Sequence, residues 1–180
     1  MTPKEVLDFW FARDPATHRK EWFEKSVDFD TSCGRFGDAL RVAKEGRFCH
    51  WAETPRGALA LIVLLDQFSR NLHRDSPEAF AADAKARDIA RLAIARNFDL
   101  ALGPIERMFV YLPFEHSEEL ADQDRAVGLF ALLGEEMVGY AEDHRSVIRR
   151  FGRFPHRNAA LGRTSTREEL DYLAQPDAGF

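Results

Sequence analysis

Two patterns in this chain have the residue types for chemistry: histidine set among carboxylates, and arginine massed without lysine. Glu115-His116-Ser117-Glu118-Glu119 places an imidazole beside three acids. Neighbouring carboxylates favour the protonated ring, which makes His116 a candidate general acid or base. Ser117 and the two glutamates after it also suit a helix start, where a hydroxyl accepts backbone N–H and acids complement the dipole. That architectural reading accounts for the serine and the glutamates but leaves His116 without a reason. His144 shares a helical stripe with Met137, Ala141, Ile148 and Phe151. A lone imidazole on an apolar face is usually a hydrogen-bonded core group, and otherwise a second candidate acid or base. Asp66 or Glu118 is the candidate carboxylate to orient either ring.

The arginines are densest between Arg145 and Arg167, a stretch with seven of them, two phenylalanines and no acidic residue. No lysine follows Lys85. A solvated basic face normally mixes both cations, whereas arginine alone points to planar, bidentate contacts with carboxylate or phosphate. Gly152 and Pro155 break the stretch, so Arg153, Arg157, Asn158 and Arg163 are presented from a bend and a short turn. Residues 115–124 hold five acids and are an internal alternative partner for these arginines. Earlier in the chain, Asp66 and Arg70 stand at ideal (i, i+4) spacing for an ion pair, with Gln67 and Asn71 beside them. Asp66, Arg70, Asn71, His116, Arg153, Arg157, Asn158 and Arg163 are therefore the candidate ligand-binding residues.

The absences restrict the chemistry. The phosphate loop, the dinucleotide fingerprint, the nucleophile elbow and the zinc-protease helix motif are all missing from the sequence. No glutamate has a histidine three residues after it, which removes the di-iron bundle motif. A metal site joining His144, His116 and Asp66 or Asp83 has no support from spacing. No cofactor and no metal are expected.

These residues must be held by helices. Thr2-Pro3-Lys4-Glu5 is a capping box ahead of the stripe Val6, Leu7, Trp10, Phe11. Residues 12–27 read as a connector whose Trp22 and Phe23 dock on the core. A second helix is expected from Asp28 to Glu45, stopped by Gly46. Thr54-Pro55 caps a third that is apolar on all sides through Leu65 and therefore central. Asp75-Ser76-Pro77 breaks the chain before an alanine-rich helix to Asn97. A short helix runs from Pro104 and ends at Pro113. Ser117 caps a helix to Leu133, and Gly134 separates it from another that ends at Gly152. Overlapping capping boxes at Ser165 and Thr166 start a last one. No segment alternates as a strand would.

The chain is thus expected to be one all-α domain over residues 1–180, with eight or nine helices packed as antiparallel pairs. Its net charge of -5 argues against a general nucleic-acid binder. The N-terminus has no secretory pattern and no apolar run approaches a membrane span, so a cytoplasmic protein is expected. Cys33 and Cys49 read as free thiols.

LLDQFSRN (64–71), FVYLPFEHSE (109–118) and RFGRFPHRNAALGR (150–163), together with DFWF near the start and WAETP (51–55), resemble the signatures of the bacterial domain-of-unknown-function family number 924. The resemblance implies an all-helical fold of the tetratricopeptide-repeat-like superfamily, with a superhelical arrangement of helix pairs. It implies no activity, substrate or catalytic residue. Three readings follow. A polar groove binds an anionic small molecule or an acidic peptide end. The same groove is an enzyme site using His116 or His144. Or the polar network is architectural and the protein is a scaffold.

Overall fold

The structure, a computed structural model, describes residues 1–12, 14–176 and 178. Among these residues every regular element is helical. The elements are α1 (Pro3–Trp10), α2 (Val27–Cys33), α3 (Gly37–Lys44), α4 (Pro55–Ile62), α5 (Ser69–Leu72), α6 (Asp83–Ala95), α7 (Pro104–Glu115), α8 (Leu120–Phe130), α9 (Glu135–Phe151) and α10 (Arg167–Leu173). Short 3₁₀ turns join several of them. The chain divides into two compact units, residues 1–74 with 78–113, and residues 75–77 with 114–180.

In the first unit α4 is central. Gly57 through Ile62 are all buried, as are Val63 through Phe68 after them. Val63–Phe68 is a π-helical segment, a widened turn that turns Asp66 and Gln67 inward with Phe68. Thr54 caps α4 by accepting the Gly57 N–H. A Cβ at Gly57 would lie 2.0 Å from the Trp51 carbonyl oxygen, so only glycine admits this close approach. Around the helix stands an aromatic core. Trp10 meets Phe109 edge-on at 5.7 Å, Trp22 meets Phe109 at 4.9 Å, and Phe36 packs on Phe68 at 4.7 Å.

In the second unit α8 and α9 pack along each other. Val147, Ile148 and Phe154 form a buried cluster covered by Phe151 and Tyr172. Gly134 (φ 126°) separates the two helices, and Gly152 (φ 69°) ends α9 in the left-handed region. The capping box of α10 is complete, with Thr166 and Glu169 bonding each other's backbone N–H. That of α1 is complete too, through Thr2 and Glu5.

Four expectations need correction. The helix expected over 28–45 is broken by a 3₁₀ turn at Gly34–Phe36, where two glycines bracket the bend. Pro113 does not end α7; the helix continues to Glu115, although the proline ring removes the N–H that the Phe109 carbonyl would accept. Ser117 does not cap α8 from the N-cap position, which Glu119 occupies. Its hydroxyl accepts the Glu119 N–H from two residues away and donates to Asp122. Phe23 is 54% exposed, while Trp22 is buried and donates its indole N–H to the Trp10 carbonyl.

Candidate functional site

The polar face after α4 is built in the first unit by the π-helical turn. Asp66 is fully buried, and Gln67 Nε2 donates to its Oδ2 at 2.6 Å. Arg70 Nη1 donates to Asp66 Oδ1 at 3.1 Å and to the Asp66 carbonyl at 2.7 Å. The expected helical ion pair therefore forms, but it is half of a larger group. The Arg70 fork also grips both oxygens of Asp83, at the start of α6, at 3.0 Å each. Asn71 donates to Asp30 at 2.7 Å, and Arg74 forks onto the same carboxylate. Burial raises the Asp30 pKa, but its bonds to Arg74 and Asn71 outweigh that and hold it below the ordinary carboxylate value.

The second unit assembles its polar side chains from the C-terminal end of α7, the following turn, α9 and the loop 152–166. Arg163 forks onto Glu118 at 2.9 and 2.8 Å, and Glu118 Oε1 also accepts the Phe154 backbone N–H at 2.9 Å. Burial pushes the Glu118 pKa up, and these three donors bring it below its ordinary value. Arg153 forks onto Glu169 at 2.6 and 2.8 Å and donates to the Thr164 carbonyl. Arg150 meets Glu168 at 2.8 Å, Arg167 meets Asp171 at 3.1 Å, and Arg145 and Arg149 share Asp124. Arg145, Arg149, Arg150, Arg153, Arg163 and Arg167 thus meet carboxylates of their own unit. Arg157 is buried with its guanidinium 4.5 Å above the Phe154 ring. Asn158 is also buried and donates to Ser165 Oγ at 3.1 Å.

Two of the histidines stand against Phe154 of the same loop, and a third stands beside one of them. His144 Nδ1 is 2.8 Å from Glu115 Oε1 and 2.9 Å from the Tyr140 carbonyl. A ring nitrogen facing two acceptors carries a proton, so the geometry places a hydrogen on Nδ1. The His144 ring stands edge-on to Phe154 at 5.7 Å, with His116 at 6.4 Å from His144 and His156 at 5.5 Å from Phe154. Gln123, fully buried, donates through Nε2 to the carbonyls of Glu115 and Ser117 at 2.6 Å each, which fixes the turn that carries His116.

The structure therefore places Asp66, Arg70 and Asn71 in the first unit, and His116, His144, Arg153, Arg157, Asn158 and Arg163 in the second. Sequence reasoning offered the acids of 115–124 as an internal alternative to an outside anion, and Glu118 and Asp124 do meet Arg163, Arg145 and Arg149. It missed Glu168 and Glu169, which carried the signal of a helix cap rather than of an ion partner. It also missed Gln123 and Phe154, for which no local signal exists.

Among the described residues no cluster of metal-ligating side chains is present, and no helix is long and apolar enough to cross a membrane. Residues 6–177 match the family described as bacterial protein of unknown function, DUF924. A solved structure of a protein of unknown function from Agrobacterium tumefaciens is similar to this chain at 41% identity, with 97% of each chain covered and a TM-score of 0.90. No curated protein matches it. A family match over nearly the whole length means that this chain belongs to the DUF924 family.

Proposed function

We propose that the chain is a helical binding module whose site is an anion-binding centre in the second unit, made by His116, His144, His156 and Arg157 around the Phe154 ring. Its ligand is an anionic small molecule or an acidic peptide end. The observation that supports this most is the convergence of two imidazoles, His144 and His156, and one guanidinium on a single buried aromatic ring, with His116 beside His144. Guanidinium is the cation suited to bidentate contact with carboxylate or phosphate, and an aromatic ring beneath it is a common support. Arg153, Arg163 and Asn158 act here as struts that hold the loop carrying Phe154 and Arg157. Asp66, Arg70 and Asn71 are engaged with Asp83, Gln67 and Asp30 in their own unit, which supports an architectural role for them.

The test is thermal stability against a panel of phosphate, sulfate and dicarboxylates at millimolar concentration. A ligand that binds only the folded protein raises its stability by about 2.7 kcal/mol at a hundredfold excess over Kd. Arg157→Lys keeps the charge and loses the fork, so it should abolish the shift with little change in baseline stability. A flat response across the whole panel overturns the proposal in favour of a purely architectural network.

One observation favours a second reading, an enzyme. The Glu115–His144 pair has the carboxylate–imidazole geometry that holds a general base in one tautomer. In that case His144→Ala would remove turnover while ligand binding persists; equal loss of both would count against catalysis.

A further inference from the structure

The chain has five lysines, Lys4, Lys20, Lys25, Lys44 and Lys85. Only Lys44, the last residue of α3, is half-buried; the other four are exposed. Its Nζ donates to the Glu78 main-chain carbonyl at 3.2 Å, an oxygen that also accepts the Ser69 hydroxyl at 2.9 Å. Among the described residues Lys44 forms no ion pair, so its bonded partner is a neutral one. The charged and titratable groups around it are His73, Glu78, Asp83 and Lys85, all in the first unit. The Arg70 fork already holds both oxygens of Asp83. Lys85 Nζ donates to the carbonyl of Lys44 itself, which sets a second ammonium on the same turn.

Partial burial beside a neutral acceptor disfavours an ammonium and leaves more of the nucleophilic free amine. Burial accordingly pulls the Lys44 pKa below its ordinary 10.5, against the opposing charges of Glu78 and Asp83. The Lys44 charge adds to burial in lowering the His73 pKa, which keeps that imidazole neutral near the amine. We propose that Lys44 is an acylation site, whose Nζ takes a small acyl group from an activated donor, a thioester or an acyl phosphate. The amine lone pair forms a C–N bond to the acyl carbon, and the C–S or C–O bond to the donor breaks. The thiolate or phosphate leaves with the bonding pair, and the amine proton passes to neutral His73 or to water. The product suits the site because it is neutral. Its amide N–H keeps the bond to the Glu78 carbonyl, whereas a carbamate or a phosphoramidate would add negative charge near Glu78 and Asp83.

Competitive labelling of the full chain tests this. Trace acetic anhydride is added across a pH series, and mass spectrometry reads each lysine. Near neutral pH Lys44 should acetylate several-fold faster than the more accessible Lys20 and Lys25, and its rate should level off at a lower pH than theirs. In urea-unfolded chain the preference should vanish. Acetyl phosphate in place of the anhydride should again give its highest occupancy at Lys44. A Lys44 rate equal to or below those of Lys20 and Lys25 overturns the proposal, because burial then only hides the amine. Even occupancy of all the lysines with acetyl phosphate overturns it as well, since the selectivity would belong to the anhydride alone. So does a preference that persists in urea, which would come from local sequence and not from the fold.

Discussion

Glu169 answers Arg153 with both oxygens while capping its own helix. Arg153 Nε and Nη2 donate to Oε1 and Oε2 at 2.6 and 2.8 Å, and the Thr166 N–H donates to Oε2 at 2.7 Å. One carboxylate thus closes the start of α10 and pins the arginine that follows the left-handed turn at Gly152. The Arg153 bonds, with those from Thr166 and Asn158, outweigh burial and bring the Glu169 pKa down to about 2 from an ordinary 4.5.

A folded-state pKa below the unfolded one means that the contribution is fully present above the unfolded value and is lost as pH falls through the folded value. For Glu169 the window runs from 4.5 down to about 2. Glu118 and Asp30, also lowered, act in the same direction. Urea unfolding repeated from neutral pH downward should show stability falling through this window. Glu169→Gln should be less stable at neutral pH and show a flatter fall in acid. An unchanged slope would place the ion pair's energy elsewhere.

The difference between what could be read along the chain and what could not follows from the range of each interaction. Thr2 with Glu5, Thr54 with Gly57, Thr166 with Glu169, and the stop at Gly152 are contacts within one helical turn, and sequence spacing reveals them directly. Pro113 misled because a missing N–H weakens a helix without deciding whether packing sustains it. Phe114 and Glu115 are both buried, and their burial offsets the lost bond. The partners of Arg70 and Asn71 lie 13 and 41 residues away, and nothing local marks Asp83 or Asp30 as theirs. The same holds at the candidate site. His116, His144 and Arg157 stood out by type, while the Phe154 ring that gathers them and the Gln123 amide that braces them did not.

Arg70 joins two carboxylates, Asp66 on the π-helical turn, which is shut away from water, and the half-buried Asp83 at the start of α6. Removing it leaves two like charges with no fork between them. Arg70→Ala is expected to destabilise the protein by about 3–5 kcal/mol, the range for breaking a buried pair from one side. Arg70→Met combined with Asp66→Asn and Asp83→Asn removes the charges as well and should recover much of the loss. The midpoint of urea unfolding reads both, provided the slope is unchanged. A single variant within about 0.5 kcal/mol of wild type would show that the group contributes no more than a surface pair.

Two glycines inside helices should respond to alanine in opposite directions. At Gly57 the added carbon would lie 2.0 Å from the Trp51 carbonyl oxygen, a backbone atom that moves only if the 49–53 turn and the α4 cap move with it. Gly57→Ala should cost about 2–3 kcal/mol or more, in the upper range of overpacking, because the obstruction is main chain. At Gly128, on the exposed side of α8, a Cβ meets nothing within 4 Å, and the helix has ordinary backbone there. Gly128→Ala should stabilise by about 0.5–1 kcal/mol through helix propensity alone. Thermal unfolding of the two variants beside wild type checks both signs. Loss of stability in Gly128→Ala would mean that this face of α8 is covered in solution.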